Sequence, residues 1–131
     1  MKLYAPSTIE AIKEKHRFQL SKSLGQNFIT DKHVIERIVE GAGPSEKDLV
    51  IEIGPGIGVL TAEAAQQAAK VIAIEIDSKL IPILGETLAE YDNVEVINQD
   101  ILKTDLNGII DEQRQLGNFT GDVKIIGNLP Y

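Results

Sequence analysis

Cysteine and tryptophan are both absent from this chain of 131 residues, and aromatic residues make up only 5% of it. Because there is no cysteine, disulfides and thiolate metal sites are excluded, and the cytoplasm is the expected location. The sequence contains no run of about 18 apolar residues, so no membrane-spanning helix is predicted. The N-terminus also lacks the apolar segment of a secretion signal. A hydrophobic content of 43% over this length suffices for one globular domain.

Basic residues are also scarce. The chain carries 13 Lys and Arg against 20 Asp and Glu, a net charge of −7, which argues against a simple nucleic-acid-binding module. The balance is uneven, because residues 1–40 carry seven basic and five acidic side chains, whereas residues 41–131 carry six and fifteen. An N-terminal basic cluster could contact a phosphate backbone or form a solvated helix face. Its members are Lys13, Lys15, His16, Arg17 and Lys22.

Short apolar segments alternate with helical segments through most of the chain. This alternation is typical of α/β proteins, in which right-handed crossovers join parallel strands and helices flank the sheet. Residues 1–22 are predicted to form a short helix and a linker before a single domain over residues 23–131. We predict strands at residues 49–53, 71–75, 94–97 and 123–127. Helices are predicted from a cap at residue 30 or 31 to 42, over 59–69, from an N-cap at Ser78 to about 90, and over 106–116.

The turn at residues 54–58 has the glycine spacing G-x-G-x-G between the first strand and its helix. No Lys-Ser or Lys-Thr follows, which excludes a Walker loop, and Val59 stands where the dinucleotide fingerprint needs its third glycine. Three acidic residues, Glu52, Glu75 and Asp100, would repel a pyrophosphate. They suit a cofactor with a ribose and a cationic centre, which describes S-adenosylmethionine. A tight strand-to-helix turn without a ligand is the alternative.

Two carboxylates follow the second and third predicted strands. Glu75 ends the second strand, and its two oxygens can accept hydrogen bonds from both hydroxyls of a ribose. Ile76 could then lie on the face of the adenine. Asp100 could accept from the adenine amino group. Taken singly, each carboxylate could instead be a loop or turn residue, so the case depends on their occurring together.

Two polar motifs stand near the ends of the chain. Gln26-Asn27-Phe28 offers amide donors for a carboxylate, such as the methionine end of the cofactor. Asn128-Leu129-Pro130-Tyr131 follows the last strand, at the sheet edge where α/β proteins place their chemistry. The Asn128 amide, the Leu129 carbonyl and the Tyr131 ring could hold the amino group of a flat nucleobase. The alternative is an Asn-Pro turn that closes a strand.

These motifs resemble, in order and spacing, those of the ribosomal RNA adenine dimethyltransferases over about residues 20–131. The similarity is strongest to the small-subunit branch, the kasugamycin-resistance methylases. The motifs are Leu24-Gly25-Gln26-Asn27-Phe28, the 52–58 turn, Glu75-Ile76-Asp77, Gln99-Asp100-Ile101 and the final tetrapeptide. The resemblance implies a Rossmann-like methyltransferase. Such an enzyme transfers methyl groups from S-adenosylmethionine to N6 of two adjacent adenines near the 3′ end of small-subunit rRNA.

The resemblance also implies roles for individual residues. Gln26 and Asn27 would hold the methionine end, Glu75 the ribose and Asp100 the adenine. The expected cofactor-binding residues are Gln26, Asn27, Phe28, Glu52, Gly54, Gly56, Glu75, Ile76, Asp100, Ile101 and Asn128. The expected catalytic residues are Asn128, Leu129, Pro130 and Tyr131. No metal is expected.

Members of that family continue well past the final tetrapeptide, with further strands and a helical domain that grips RNA. We therefore expect this chain to be an N-terminal part with a four-stranded sheet in the order 3-2-1-4. Weak cofactor binding with little or no methylation is expected, from a monomer whose partner is rRNA in a 30S or pre-30S particle. The alternatives are the large-subunit, macrolide-resistance branch and a non-catalytic ribosome-assembly or RNA-binding factor. A nicotinamide dehydrogenase is disfavoured by Val59.

Overall fold

The computed structural model describes residues 32–127, and four strands in this range form one parallel sheet. The strands are β1 (Leu49–Ile53), β2 (Lys70–Glu75), β3 (Val94–Asn98) and β4 (Val123–Gly127). Their order in the sheet is β3-β2-β1-β4, which confirms the predicted order. Each strand begins and ends within one residue of its predicted bounds, because Gly, Pro and charged residues bracket the apolar runs.

In this described range, four helices flank the sheet: α1 (Lys32–Ala42), α2 (Val59–Ala65), α3 (Ile81–Thr87) and α4 (Leu106–Gln115). Single 3₁₀ turns precede α3, at Ser78–Leu80, and α4, at Ile101–Lys103. The predicted cap of α1 and the predicted segment 1–22 lie outside the described residues. Within residues 32–127, none of the helices has the length and apolar character needed to cross a membrane.

The prediction for α2 was wrong at its C-terminus, because the helix ends at Ala65 and not at residue 69. Asn93 causes the early end from another part of the chain. Its Nδ2 donates to the carbonyls of Ala65 at 2.9 Å and Ala68 at 3.2 Å. In a continued helix the Ala69 N–H would donate to the Ala65 carbonyl. It donates instead to the carbonyl of Asp48 at 2.9 Å, next to the start of β1. Tertiary partners thus replace the last helical turn.

The prediction for α3 was wrong at both ends. The residue that caps the 3₁₀ turn before the helix is Asp77, not Ser78, because the Asp77 backbone is extended and its Oδ1 accepts from the Lys79 N–H at 3.0 Å. The helix ends at Thr87. Beyond it, the Tyr91 N–H donates to the carbonyl of Leu88, three residues back, which makes a turn and not an α-helix.

The larger of two cores lies on one face of the sheet, between the strands and helices α1 to α3. Val50 and Val71, which are register partners, point to this face and are fully buried. Ile35 and Val39 of α1 meet them, as the helical spacing predicts. Leu80, Leu84 and Leu88 complete the core.

The smaller core lies on the opposite face, where α4 and Phe119 cover Ile51 and Ile72. This core reaches Val123 at the start of β4, but the side chain of Ile125 in the middle of that strand is 55% exposed. Within the described residues β4 pairs with β1 alone, so β4 forms one edge of the sheet and β3 the other.

At the amino edge of the sheet, Asp48 joins the start of β1 to the start of β4. Its Oδ1 accepts from the Asp122 N–H at 2.8 Å and its Oδ2 from the Ser45 N–H at 2.9 Å. The backbone donors Ser45 and Asp122 hold the pKa of Asp48 below its ordinary value and outweigh the opposing effect of burial. Both oxygens of this carboxylate therefore have backbone partners.

Candidate functional site

The glycine turn begins where β1 ends. Gly54 continues the sheet, because its N–H donates to the Ile74 carbonyl at 2.9 Å, but its φ is +72°. A side chain there would be strained by the backbone, although a Cβ atom would meet nothing within 4 Å. The turn therefore needs glycine for its conformation, and it leaves open space beside Gly54 in which a ligand can approach the backbone.

The carboxylate of Glu75 connects this turn to the end of β2. Glu75 is 5% exposed; its Oε1 accepts from the Gly56 N–H at 3.2 Å and its Oε2 from the Asp77 N–H at 3.0 Å. Burial raises the pKa of Glu75, while the Asp77 and Gly56 donors oppose that rise. Each carboxylate oxygen has a second acceptor position. Glu75 is thus oriented by the backbone and still able to accept hydrogen bonds from a ligand.

Glu52, the third acidic residue of the predicted cofactor site, lies further inside the sheet than Glu75 and Asp100. It lies in β1, one residue before the strand ends, and is 1% exposed. Its Oε1 accepts a hydrogen bond from the Thr61 hydroxyl in α2. Burial raises the pKa of Glu52 to about 7, and the charge of Glu75 adds to the rise, whereas the Thr61 hydroxyl opposes it. Strand alternation explains the position, since it turns Glu52 towards the helices.

The ends of β2 and β3 are tied together by Asn98 and Gln99. The Nδ2 of Asn98 donates to the backbone carbonyls of Glu75 at 2.9 Å and Ile76 at 3.3 Å. The Gln99 N–H also donates to the Glu75 carbonyl, at 3.1 Å. Ile76 and Asp100 therefore follow two adjacent strand ends. Ile76 is 51% exposed, so it offers a flat ligand an apolar surface at this edge.

Asp100 caps the 3₁₀ turn that follows β3. Its Oδ1 accepts from the Leu102 N–H at 3.0 Å, and its own carbonyl accepts from the Thr104 hydroxyl at 2.7 Å. The second oxygen, Oδ2, remains available to a ligand. Ile101 turns the other way and packs against the smaller core. The structure therefore brings Gly54, Gly56, Glu75, Ile76 and Asp100 to one edge, with Glu52 buried in β1 and Ile101 in the core.

The remaining predicted site residues cannot be placed. Gln26, Asn27 and Phe28 lie outside the described residues, as do Asn128, Leu129, Pro130 and Tyr131. Their roles stay predictions. The last described residue of β4, Gly127, is the register partner of Ile53, so the chain leaves β4 at the same edge as the glycine turn.

Sequence reasoning assigned no role of their own to three residues that shape this edge, namely Thr61, Asp77 and Asn98. Thr61 carried a detectable signal, since it is a hydroxyl residue within an alanine-rich helix and lies nine residues after Glu52. Asp77 could have been found as an Asx residue before a helix start. For Asn98 the sequence carries no comparable signal, because its partners belong to the neighbouring strand.

Residues 17–131 match a family model described as ribosomal RNA adenine dimethylase. The chain belongs to this family. It is 56% identical over 131 residues to the ribosomal RNA small subunit methyltransferase A of Alkaliphilus metalliredigens, in an alignment that covers 99% of this chain and 44% of that protein. The chain thus spans less than half the length of the curated relatives it matches.

Solved structures of methyltransferases share the fold. A dimethyladenosine transferase from Plasmodium falciparum superposes with a TM-score of 0.60 at 31% identity, over 77% of this chain and 33% of that one. The 23S rRNA methyltransferase ErmE gives 0.58 at 42% identity, over 60% and 32%. An RNA methyltransferase from Salinibacter ruber, solved with S-adenosyl-L-homocysteine, gives 0.53 at 25% identity, over 66% and 67%. The predicted Rossmann-like methyltransferase fold is confirmed.

Proposed function

We propose that this chain binds S-adenosylmethionine and serves an rRNA adenine N6,N6-dimethyltransferase that acts on two adjacent adenines near the 3′ end of small-subunit rRNA. The observation that carries the proposal is the position of Glu75. A buried carboxylate, aimed by the Gly56 and Asp77 N–H groups, ends β2 beside a glycine turn in a chain of this family.

The residues at the carboxyl edge fit the proposed cofactor. Glu75 would accept hydrogen bonds from the ribose hydroxyls, and the open space beside Gly54 admits a ligand against the backbone. Ile76 would pack on the adenine, whose amino group would donate to Asp100. When bound, this cofactor supplies an electrophilic methyl group on a sulfonium sulfur. A cation is compatible with the acidic edge, whereas a pyrophosphate is not.

At the other end of the site, residues 128–131 would hold the target adenine. The lone pair of N6 is delocalised into the purine, so the amine is a poor nucleophile. Hydrogen bonds from its hydrogens to Asn128 and to the Leu129 carbonyl favour a pyramidal nitrogen, with the lone pair aimed at the methyl group. Pro130 leaves that carbonyl without competition from a following N–H, and Tyr131 stacks on the ring. The adenine must leave its helical stack to enter.

The proposed partner is small-subunit rRNA within a 30S or pre-30S particle, which would place a monomeric protein in the cytoplasm. A 23S rRNA adenine is the second candidate substrate, because the chain is 42% identical to the 23S rRNA methyltransferase ErmE over the aligned region. The higher identity to a small subunit methyltransferase over nearly the whole chain favours the first.

Binding of labelled S-adenosylmethionine to the 131-residue chain tests the cofactor assignment. We expect Glu75→Gln to lose at least tenfold in affinity. Glu46→Gln, at an exposed position near the amino edge, is the matched control and should bind as the wild type does. Saturable binding of NADH or ATP in place of S-adenosylmethionine would overturn the proposal.

Methyl transfer to unmethylated 30S particles and to naked 23S rRNA tests the substrate. We expect little or no turnover by the chain alone, and transfer to 30S particles by a full-length relative such as the Alkaliphilus enzyme. Transfer by that relative to 23S rRNA, with none to 30S particles, would select the second candidate. Robust methyl transfer by the 131-residue chain would contradict the expectation that it is inactive by itself.

A further inference from the structure

Glu52 is a buried carboxylate whose position the proposed binding of ribose and adenine does not explain. Its side chain is 1% exposed, and within residues 32–127 the Thr61 hydroxyl is the one hydrogen-bond donor to it. An ionised carboxylate in such a place lacks the donors and the countercharge that normally offset its desolvation. The sheet therefore holds a carboxyl group that burial favours in its neutral form.

The position of Glu52 relative to Glu75 follows from the strand register. Ala73 is the register partner of Glu52, and Glu75 lies two residues beyond Ala73 on the same face of β2. A strand spacing of about 4.8 Å and a rise of about 3.3 Å per residue put the two Cα atoms about 8 Å apart. In S-adenosylmethionine the sulfonium sulfur is bonded to C5′, one carbon outside the ribose ring that Glu75 would hold. The positive charge would therefore lie within reach of the field of Glu52.

Within residues 32–127, no basic side chain forms a salt bridge with Glu52. Glu75 is the charged residue in the described part of the chain that acts on its titration, and it is anionic. On β4, the Nζ of Lys124 lies 4.0 Å from Asp122 at the amino edge, and the register partner of Glu52 is Ile126. The packed helices carry further titratable side chains, namely His33, Glu36, Arg37 and Glu40 on α1, Glu63 on α2 and Glu86 on α3. The causes of the raised pKa of Glu52 are burial and the charge of Glu75, which the Thr61 hydroxyl opposes.

We propose that Glu52 is a specificity-determining residue that exchanges a proton with solvent: it is protonated in the empty site, ionises when the sulfonium cofactor binds, and stays protonated with the neutral thioether product. The inference rests on the proposed function. On binding, the O–H bond of the carboxylic acid breaks, its proton goes to the buffer, and the electron pair stays on the carboxylate facing the sulfonium. Loss of the methyl group removes the positive charge, and the carboxylate takes up a proton again.

This exchange distinguishes two ligands that are otherwise almost identical. S-adenosylmethionine and S-adenosylhomocysteine carry the same adenine, ribose and zwitterionic amino acid, and they differ in one methyl group and one positive charge. The field of the sulfonium also acts on Glu75, so the Glu52→Gln variant assigns the difference between the ligands to Glu52. The difference between the two ligands isolates the response to the sulfonium, and it favours release of the spent product near neutral pH.

Calorimetry of the 131-residue chain with each ligand, in two buffers of different ionisation enthalpy, measures the protons released. Full ionisation of Glu52 in the complex predicts release of about 0.9 proton at pH 6 with S-adenosylmethionine, beyond that seen with S-adenosylhomocysteine. It also predicts an affinity gain of about fivefold between pH 6 and pH 7 for the sulfonium ligand alone. Glu52→Gln should abolish both differences, and Glu46→Gln should preserve them.

The outcomes separate the two proposals. Equal proton release with both ligands, or a difference that survives in Glu52→Gln, would overturn the role of Glu52 and leave cofactor binding intact. Absence of binding by either ligand would contradict the proposed function. Because Glu52→Gln could fold poorly, its circular dichroism spectrum and melting curve without ligand are compared with those of the wild type. The melting temperature without ligand is also measured from pH 5 to pH 8. If it falls no more steeply for the wild type than for Glu52→Gln, the inference is overturned.

Discussion

Asp48 and Glu52 stand four residues apart around one strand, yet their environments shift their protonation in opposite directions. Both are almost fully buried, at 5% and 1% exposure. Asp48 accepts two backbone N–H bonds, and these hold its pKa below its ordinary value. Glu52 accepts one hydroxyl bond, and burial raises its pKa to about 7. Within the described residues, Asp48 thus has a backbone donor on each carboxylate oxygen, whereas Glu52 has a single hydroxyl donor.

The difference arises from where the backbone donors go. At the amino edge, the N–H groups of Ser45 and Asp122 converge on Asp48 and join two strands and a turn. At the carboxyl edge, the N–H groups of Gly56 and Asp77 are used by Glu75, so Glu52 must rely on Thr61. An edge whose carboxylates are fully satisfied contributes to stability. An edge at which a buried carboxylate has a single hydroxyl donor contributes less, and it retains affinity for a cation.

The largest expected effect is the pH dependence of stability that Glu52 causes. Its folded pKa of about 7 exceeds the ordinary 4.5, so the folded state binds more protons than the unfolded state between these values. Stability therefore falls as pH rises from 4.5 to 7, by about 3 kcal/mol for this group. Glu52→Gln should remove that fall, as urea denaturation at pH 5 and pH 8 would measure. An equal change in the free energy of unfolding between pH 5 and pH 8 in the two proteins would contradict the raised pKa of Glu52.

A second test perturbs the complete edge. A Cβ atom at Gly121 would lie 2.2 Å from the Asp48 Oδ1 and 3.0 Å from the Lys47 carbonyl oxygen. Gly121→Ala should therefore destabilise the fold by about 2 kcal/mol, since Asp48 is held by two hydrogen bonds and cannot move without losing them. Gly85→Ala, in α3 with nothing within 4 Å, is the control. Urea midpoints should fall for Gly121→Ala and stay level or rise for Gly85→Ala.

A smaller effect is expected from the single donor to Glu52. Thr61→Val keeps the shape of the side chain and removes the hydroxyl, so the ionised form of Glu52 loses its one hydrogen bond. We expect a loss of about 1 kcal/mol at pH 8 and a higher pKa for Glu52. Thr61→Ser retains the hydroxyl and should keep the wild-type pH profile in thermal melts. An identical profile for Thr61→Val would show that the bond is unimportant.

A further test acts on Asp48 itself. Asp48→Asn keeps the shape of the side chain, and its carbonyl keeps one of the two backbone bonds, whereas its NH2 group cannot accept the other. The lowered pKa means that the Asp48 carboxylate stabilises the fold above the ordinary aspartate pKa, and that this contribution disappears as pH falls. The wild type should therefore exceed the variant in melting temperature at pH 7, and the two should converge in acid. A difference in melting temperature that grew as the pH fell would contradict the lowered pKa of Asp48, and with it the difference from Glu52.

Local pattern predicted much of the carboxyl edge. The apolar runs predicted all four strands, and Glu75 was expected at the end of β2 and is there. The spacing of the glycines, with Val59 in place of a further glycine, excluded a dinucleotide site without any coordinates. The helix ends were less predictable, since Asn93 ends α2 from 28 positions away in sequence. The helix propensities of the residues in α2 do not predict where this helix ends.

The sequence by itself determined the alternation of strands and helices and the acidic, glycine-rich character of one sheet edge. These properties follow from residue types at short spacing, which pattern and backbone sterics convert directly into structure. Only the tertiary structure decided which carboxylate is held by two backbone donors and which by a single hydroxyl. A pKa depends on burial and on donors from elsewhere in the chain, such as the Asp122 N–H that reaches Asp48 across 74 positions.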